Sequence, residues 1–351
     1  MKPVSSHRPS VSPHLPVRKE WLARVDEPAI DPHLAIVDAH HHLWDRPENR
    51  YLLDDYLDDI DSGHRIVASV YVQCRSMFNI DQPESFQCVG EVEFANGIAA
   101  LSASGLYGEA RLNSAIVAGA DLRLGQAVVP VLEEMLERAG PRLQGIRNTT
   151  AWHADPLVVS NPNPPPSGIL AETHFRKGVS CLKDYDLALD VWGYHTQLEE
   201  VLDLARSCPH QVIVLDHVGG PIGVGPYAGR REEVFAHWSR LICQLANCPN
   251  VLVKLGGLGM NVGGFALHTR ELPPDSDELA VLWKPYILHC IEAFGVERCM
   301  FESNFPVDKG MYSYGVMWNA FKKITADFTA GEKRFLFSQT AAYTYNLTVP
   351  D

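Results

Sequence analysis

An alternation constrains this chain more than any other feature. Eight short apolar runs rich in β-branched residues lie along it: "AIVDAH" (35–40), "RIVASVYVQC" (65–74), "AIVAGADL" (115–122), "LQGIRN" (143–148), "LALDVW" (187–192), "QVIVLD" (211–216), "NVLVKL" (250–255) and "RCMFES" (298–303). Helical stretches separate most of them. In "LEEVLDLA", Leu198, Val201, Leu202 and Ala205 recur at helical spacing and make one apolar face. Alternating β and α runs demand a parallel sheet with right-handed crossovers, and eight such units predict a (β/α)8 barrel, the TIM-barrel architecture. A doubly wound open sheet competes, but it usually carries a glycine-rich turn after its first strand. Here that place holds histidines. The expected division is an N-terminal arm over 1–34, rich in Pro, Ser and His, and a barrel over 35–345.

Two connections are long: "TTAWHADPLVVSNPNPPPSGIL" after the fourth run and "GGLGMNVGGFALHTRELPPDSDE" after the seventh. Both follow strands, so both fall on the C-terminal face of the barrel, where long loops form lids or substrate walls.

The same face should collect the polar strand ends. In "VDAHHHLWD", residues two apart share a side of the strand, so His40 and His42 should point one way together with Asp38, and His41 the other. Two imidazoles so spaced at a strand end can bind a divalent cation; alone, they could equally be hydrogen-bonded core histidines. His217 ends the sixth run before a Gly-Gly turn. Arg147 ends the fourth, Lys254 the seventh, and Glu302 and Asn304 stand on the eighth. Each has a plain explanation as a cap or surface residue. Their coincidence at one end of five strands predicts a pocket.

Other classes are disfavoured. The formal charge is −13 with scattered acids, and no stretch interleaves Lys/Arg with aromatics, which argues against nucleic acid. A small anionic substrate remains compatible. Nothing approaches 18 consecutive apolar residues, so no membrane span is expected, and the first residues lack a signal-peptide core. The eight cysteines include no C-x-x-C pair and read as reduced thiols of a cytoplasmic protein. A homo-oligomer is compatible with the sequence.

In order, "VDAHHHLWD", "GIRN", "VLDHVGGP", "VKLGGL" and "RCMFESNFPVD" resemble the amidohydrolase-related (amidohydrolase 2) barrels, in the branch of sugar lactonases, pyrone-dicarboxylate lactonase and sulfomuconolactone hydrolase. The resemblance implies that His40, His42 and His217 bind a divalent metal, zinc by expectation with manganese also accommodated, or polarise a carbonyl without one. It implies that Arg147 holds a substrate carboxylate, suited by its planar fork; Arg75, at the end of the second run, is a further candidate from its position alone. Lys254 matches a family lysine that either contacts substrate or makes a structural ion pair.

One departure stands out. Relatives usually read G-S-D-x-P on the eighth strand, and this chain reads Glu302-Ser303-Asn304. An amide is no base and a poor metal ligand. Glu302 should face the same pocket, and Asp308 follows on the loop, so a relocated carboxylate is expected from one of them. The expected activity is hydrolysis of a lactone or related cyclic carbonyl compound bearing a carboxylate. The alternatives are a metal-dependent decarboxylase of the same superfamily, told apart by CO₂ release, and a barrel that binds a ligand without turning it over.

Overall fold

The computed structural model describes residues 13–47 and 49–349. Its barrel strands are β1 (Ile36–His41), β2 (Ile66–Val72), β3 (Arg111–Gly119), β4 (Leu143–Thr149), β5 (Ala188–Trp192), β6 (Ile213–Leu215), β7 (Val251–Leu255) and β8 (Cys299–Phe301). They form one eight-stranded sheet in sequence order, and every pair is parallel. The sheet closes through residues just past β8: the His42 N–H donates to the Phe305 carbonyl at 2.8 Å, and the Asn304 N–H to the His40 carbonyl at 2.9 Å. The expected barrel is therefore present. β3 begins four residues earlier than its apolar run suggests, because its first turn of chain is polar.

A helix follows each strand: α1 (Leu53–Ile60), α2 (Val89–Ala103), α3 (Val129–Ala139), α4 (Thr173–Leu182), α5 (Leu198–Ser207), α6 (Arg231–Ala246), α7 (Ser276–Phe294) and α8 (Tyr314–Ile324). On α5 the predicted face is buried: Leu198, Val201, Leu202 and Ala205 all pack inward. Each such Leu or Val contributes roughly 1.5–3 kcal/mol by leaving water. α7 starts where Asp275 accepts from the Glu278 N–H at 2.8 Å while Glu278 reaches back, a reciprocal cap.

Small side chains fill the barrel interior, among them Val37, Ala39, Val70 and Val117, and Tyr345 closes its lower end. No helix among the described residues is long and apolar enough to cross a membrane. All eight cysteines are free thiols.

Candidate active site

β1 holds the first surprise. Asp38 pairs with Ser69, yet His41 pairs with Tyr71, so three steps on β1 match two on β2. This irregularity adds one residue and flips the alternation. Asp38 therefore does not join His40 and His42, which corrects the expectation from simple alternation. It points into the helical layer and accepts from the Tyr56 hydroxyl at 2.9 Å, the Tyr314 hydroxyl at 3.0 Å and Ser303. His41 faces outward as expected, stacked on Tyr56 at 4.1 Å.

His40 and His42 turn inward, with their Nε2 atoms 3.2 Å apart. His42 Nδ1 lies 2.7 Å from the Val72 carbonyl, which fixes the proton on Nδ1. His40 Nδ1 lies 3.0 Å from Glu302 Oε2, and its Nε2 lies 3.2 Å from Arg147 Nη1. His40 thus meets a cationic donor at each ring nitrogen, Lys254 Nζ 3.2 Å from Nδ1 and Arg147 Nη1 3.2 Å from Nε2, with Glu302 Oε2 beside Nδ1. His217 Nδ1 meets Glu302 Oε1 at 2.7 Å, and its backbone N–H meets the same oxygen at 3.1 Å. His42 and His217 thus spend Nδ1 on an acceptor, whereas His40 Nε2 faces Arg147. Burial, with the nearby Lys254 charge, pushes the His40 pKa down to about 4, and burial keeps His42 well below the usual range. Both are neutral near pH 7.

A backbone detail makes room for this. His217 and Val218 have φ of 56° and 48°, a strained turn for residues with side chains. A Cβ on Gly257 would fall 2.4 Å from the His217 side chain, and one on Gly256 2.4 Å from Glu302 Cγ. The Gly-Gly of "VKLGGL" is a cradle for the His217–Glu302 pair.

Beneath the imidazoles lies a charged layer. Lys254 is fully buried, 2.6 Å from Asp190 Oδ2 and 3.3 Å from Asp216 Oδ1. The Tyr345 hydroxyl donates to Asp190 at 2.9 Å. Burial alone would discharge Lys254, but Asp190, Asp216 and Glu302 hold its pKa up. Lys254 does not line the cavity. Of the two roles open to it, the structural ion pair is the one these contacts support, its charge facing two buried aspartates. Asp190 and Asp216 are absent from the sequence-level site, although an Asp inside an apolar strand run is itself a signal.

The cavity above measures about 720 Å³ and is lined by His42, Arg147, His217 and Asn304 at its floor and by Trp44 and Trp192 among its walls. Arg75 stands at its rim, exposed and at φ 64°, and also borders a second cavity of about 690 Å³. Arg147 is heavily used: it donates to the Gln73 carbonyl, to Gln73 Oε1 at 3.3 Å, to His40 and to Asp216 at 3.5 Å. Arg46, which sequence reasoning missed, lines the same cavity over the Trp44 ring at 3.9 Å, and its Nη1 has no hydrogen-bond partner among the described residues.

Glu302 and Asp308 lie behind the lining rather than in it. Burial would raise the Glu302 pKa, but His217 and His40 pull it down to about 2. Asp308 accepts from Asn304 Nδ2 and Gly259 N at 2.9 Å and from the Tyr312 hydroxyl at 2.5 Å. Burial outweighs these donors and pushes its pKa up to about 7 from the usual 3.8. Because the folded state binds this proton more tightly, stability should fall as pH rises from about 4 to about 7. Asp308→Asn removes that dependence. Thermal unfolding of both proteins across this window should show the wild type losing ground to the variant; parallel curves would contradict the assignment.

The amidohydrolase family matches residues 37–347. The chain is 32% identical to the uncharacterized protein y4mH of Sinorhizobium fredii over 336 residues, covering 90% of this chain and 99% of that protein. It is 26% identical to an L-fucono-1,5-lactonase of Burkholderia multivorans, covering 90% and 97%. A crystal structure of an amidohydrolase from Burkholderia multivorans with bound zinc superposes with a TM-score of 0.69 at 24% identity, covering 90% of this chain and all of that one. The barrel, its polar strand ends and the match over nearly its whole length agree: the chain belongs to the amidohydrolase family.

Proposed function

We propose that this barrel hydrolyses a lactone, or a related cyclic ester, of a small carboxylated molecule. One observation carries the reading: His42 and His217 have their Nδ1 atoms anchored on acceptors and line a cavity that Arg46, Arg75 and Arg147 also line, with His40 beside them. The relatives named as lactonases support it.

The donor set suits a divalent ion on the cavity side. Two imidazole nitrogens 3.2 Å apart match the spacing of neighbouring ligands around a zinc-like ion at about 2.0–2.1 Å, and Arg147 Nη1, 3.2 Å from His40 Nε2, would turn toward the substrate to admit it. Their Nδ1 partners supply the outer support that metal-binding histidines need. The other candidate set, His40, Asp216 and His217, has ligand atoms within 4.8 Å of one another. There the Lys254 ammonium already sits 3.2 Å from His40 Nδ1 and 3.3 Å from Asp216 Oδ1. His40 and His42 would therefore hold the ion, which would polarise the lactone carbonyl. The zinc-bound relative supports a divalent metal without fixing which one.

The chain's own residues account for the rest. Arg147 and Arg46 meet the substrate carboxylate. Asn304 has one amide N–H fixed by Asp308 and turns the other to the carbonyl oxygen, as an oxyanion donor. An amide does that well although it cannot act as a base. His217 takes a proton from water at Nε2 while Glu302 balances the imidazolium. Water oxygen adds to the carbonyl carbon, the ring C–O bond breaks, and His217 returns the proton to the departing alkoxide.

Arg147→Lys tests the carboxylate contact. Lysine keeps the charge but cannot span Gln73, His40 and a ligand with one planar group. The expected result is kcat/KM on a carboxylated lactone lower by about tenfold or more, roughly 1.4 kcal/mol, mostly through KM. Equal activity per folded molecule would mean that Arg147 serves the barrel alone.

A further inference from the structure

We propose that the N-terminal arm is the outer wall of the substrate pocket, and that His14 sets which substrates fit. This rests on the hydrolase reading of the pocket but concerns a segment outside it: the family match begins at residue 37.

The arm is tied down step by step. Glu27 Oε1 accepts the Ser276 N–H at 2.8 Å at the start of α7, and Asn319 of α8 donates to Glu27 Oε2 at 3.0 Å. Trp21 donates to the Glu271 carbonyl at 3.1 Å, and Arg18 to the His268 carbonyl at 2.6 Å. From Arg18 the chain runs back across the barrel mouth. Leu15 rests on Gly310: a Cβ there would come within 2.5 Å of Leu15 Cβ, so the glycine keeps the seat open.

At the mouth, Pro13, His14 and Leu15 border one crevice with Val159 and Ser160 of the long loop after β4, and with Met260 and Val262 of the long loop after β7. The arm thus joins the two loops that the sequence marks as substrate walls. His14 itself lines the 720 Å³ cavity. Its ring stacks on Trp44 with centroids 5.3 Å apart and planes 17° apart, and Trp44 stacks on His42 at 5.9 Å. An arm residue is therefore two ring contacts from an imidazole of the floor. A substrate seated on that floor meets His14 at its far end, so the arm limits the length of any group carried on the lactone ring.

Three proteins test this against the full chain: one lacking residues 1–17, one lacking 1–12, and His14→Ala. The first keeps Arg18, Trp21 and Glu27, and so keeps the anchors. The assay is a panel of five- and six-membered lactones with ring substituents of increasing length. Loss of 1–17 should leave kcat on the shortest substrates within about threefold, raise their KM by about tenfold, and admit longer substituents that the full chain rejects. His14→Ala should move in the same direction, and loss of 1–12 alone should change nothing. An unchanged length limit in the folded 1–17 deletion would overturn the proposal. If no protein of the set opens any lactone, the hydrolase reading fails, and the arm is judged by hydroxyl-radical labelling of Trp44, which is 1% exposed. Labelling should rise about fivefold or more without residues 1–17, because the covering ring leaves; unchanged labelling would overturn the arm's placement.

Discussion

Glu302→Gln is expected to fold normally and to lose about 10²-fold or more in kcat on a lactone, with little change in KM. The carboxylate does two jobs at once. Oε1 holds His217 Nδ1 at 2.7 Å and Oε2 faces His40 Nδ1 at 3.0 Å. An amide offers only one acceptor atom, so it keeps the bond to His217 Nδ1 only by turning its NH2 toward His40 and Lys254. The amide also supplies no charge against the imidazolium that forms on His217. The loss should appear mainly in kcat because Glu302 bonds to His217 rather than to the arginines that hold substrate. A variant with full kcat on a confirmed substrate would remove Glu302 from the machinery and leave Asp308 as the carboxylate to examine.

Lys254→Met is expected to destabilise the protein by about 3–5 kcal/mol, the usual scale for removing one partner of a buried ion pair. Asp190 and Asp216 are fully buried, and Lys254 Nζ lies within 3.3 Å of both. Without the ammonium, two carboxylates face each other beneath the site in a medium that solvates neither. The melting temperature should fall by roughly 5 °C or more. Adding Asp190→Asn should recover part of the loss, because the Tyr345 hydroxyl can still donate to the amide oxygen. A melting temperature unchanged by Lys254→Met would show that the aspartates are neutral in the folded state.

The barrel is legible in the sequence because each buried strand reads as an apolar run and each helix as a 3.6-residue pattern. The polar strand ends are legible for a related reason: His40, His217, Arg147 and Glu302 interrupt runs that otherwise want apolar residues. Three things escape that logic. The register irregularity in β1 inserts one residue between Asp38 and His41, and alternation carries no sign of it. The burial of Lys254 depends on Asp190 and Asp216, which arrive from β5 and β6 and meet only when the barrel closes. Arg46 sits beyond β1 on a short hairpin with Asn49–Tyr51, and its approach to the cavity follows from that turn. The arm is a fourth case. Its Pro, Ser and His content marks it only as an arm outside the barrel, although Lys19–Leu22 form a short helix, and its course over the mouth is decided by the contacts of Trp21, Glu27 and Gly310 with distant parts of the chain.

Product identity tests the central claim most directly. Purified protein would be offered carboxylated and sugar-acid lactones in weakly buffered indicator solution, with proton release followed and products weighed by mass spectrometry. The account predicts saturable proton release from at least one lactone, a product heavier by one water, and loss of both in Glu302→Gln. No proton release from any lactone, together with CO₂ release from an unsaturated carboxylic acid, would contradict it and make the barrel a decarboxylase.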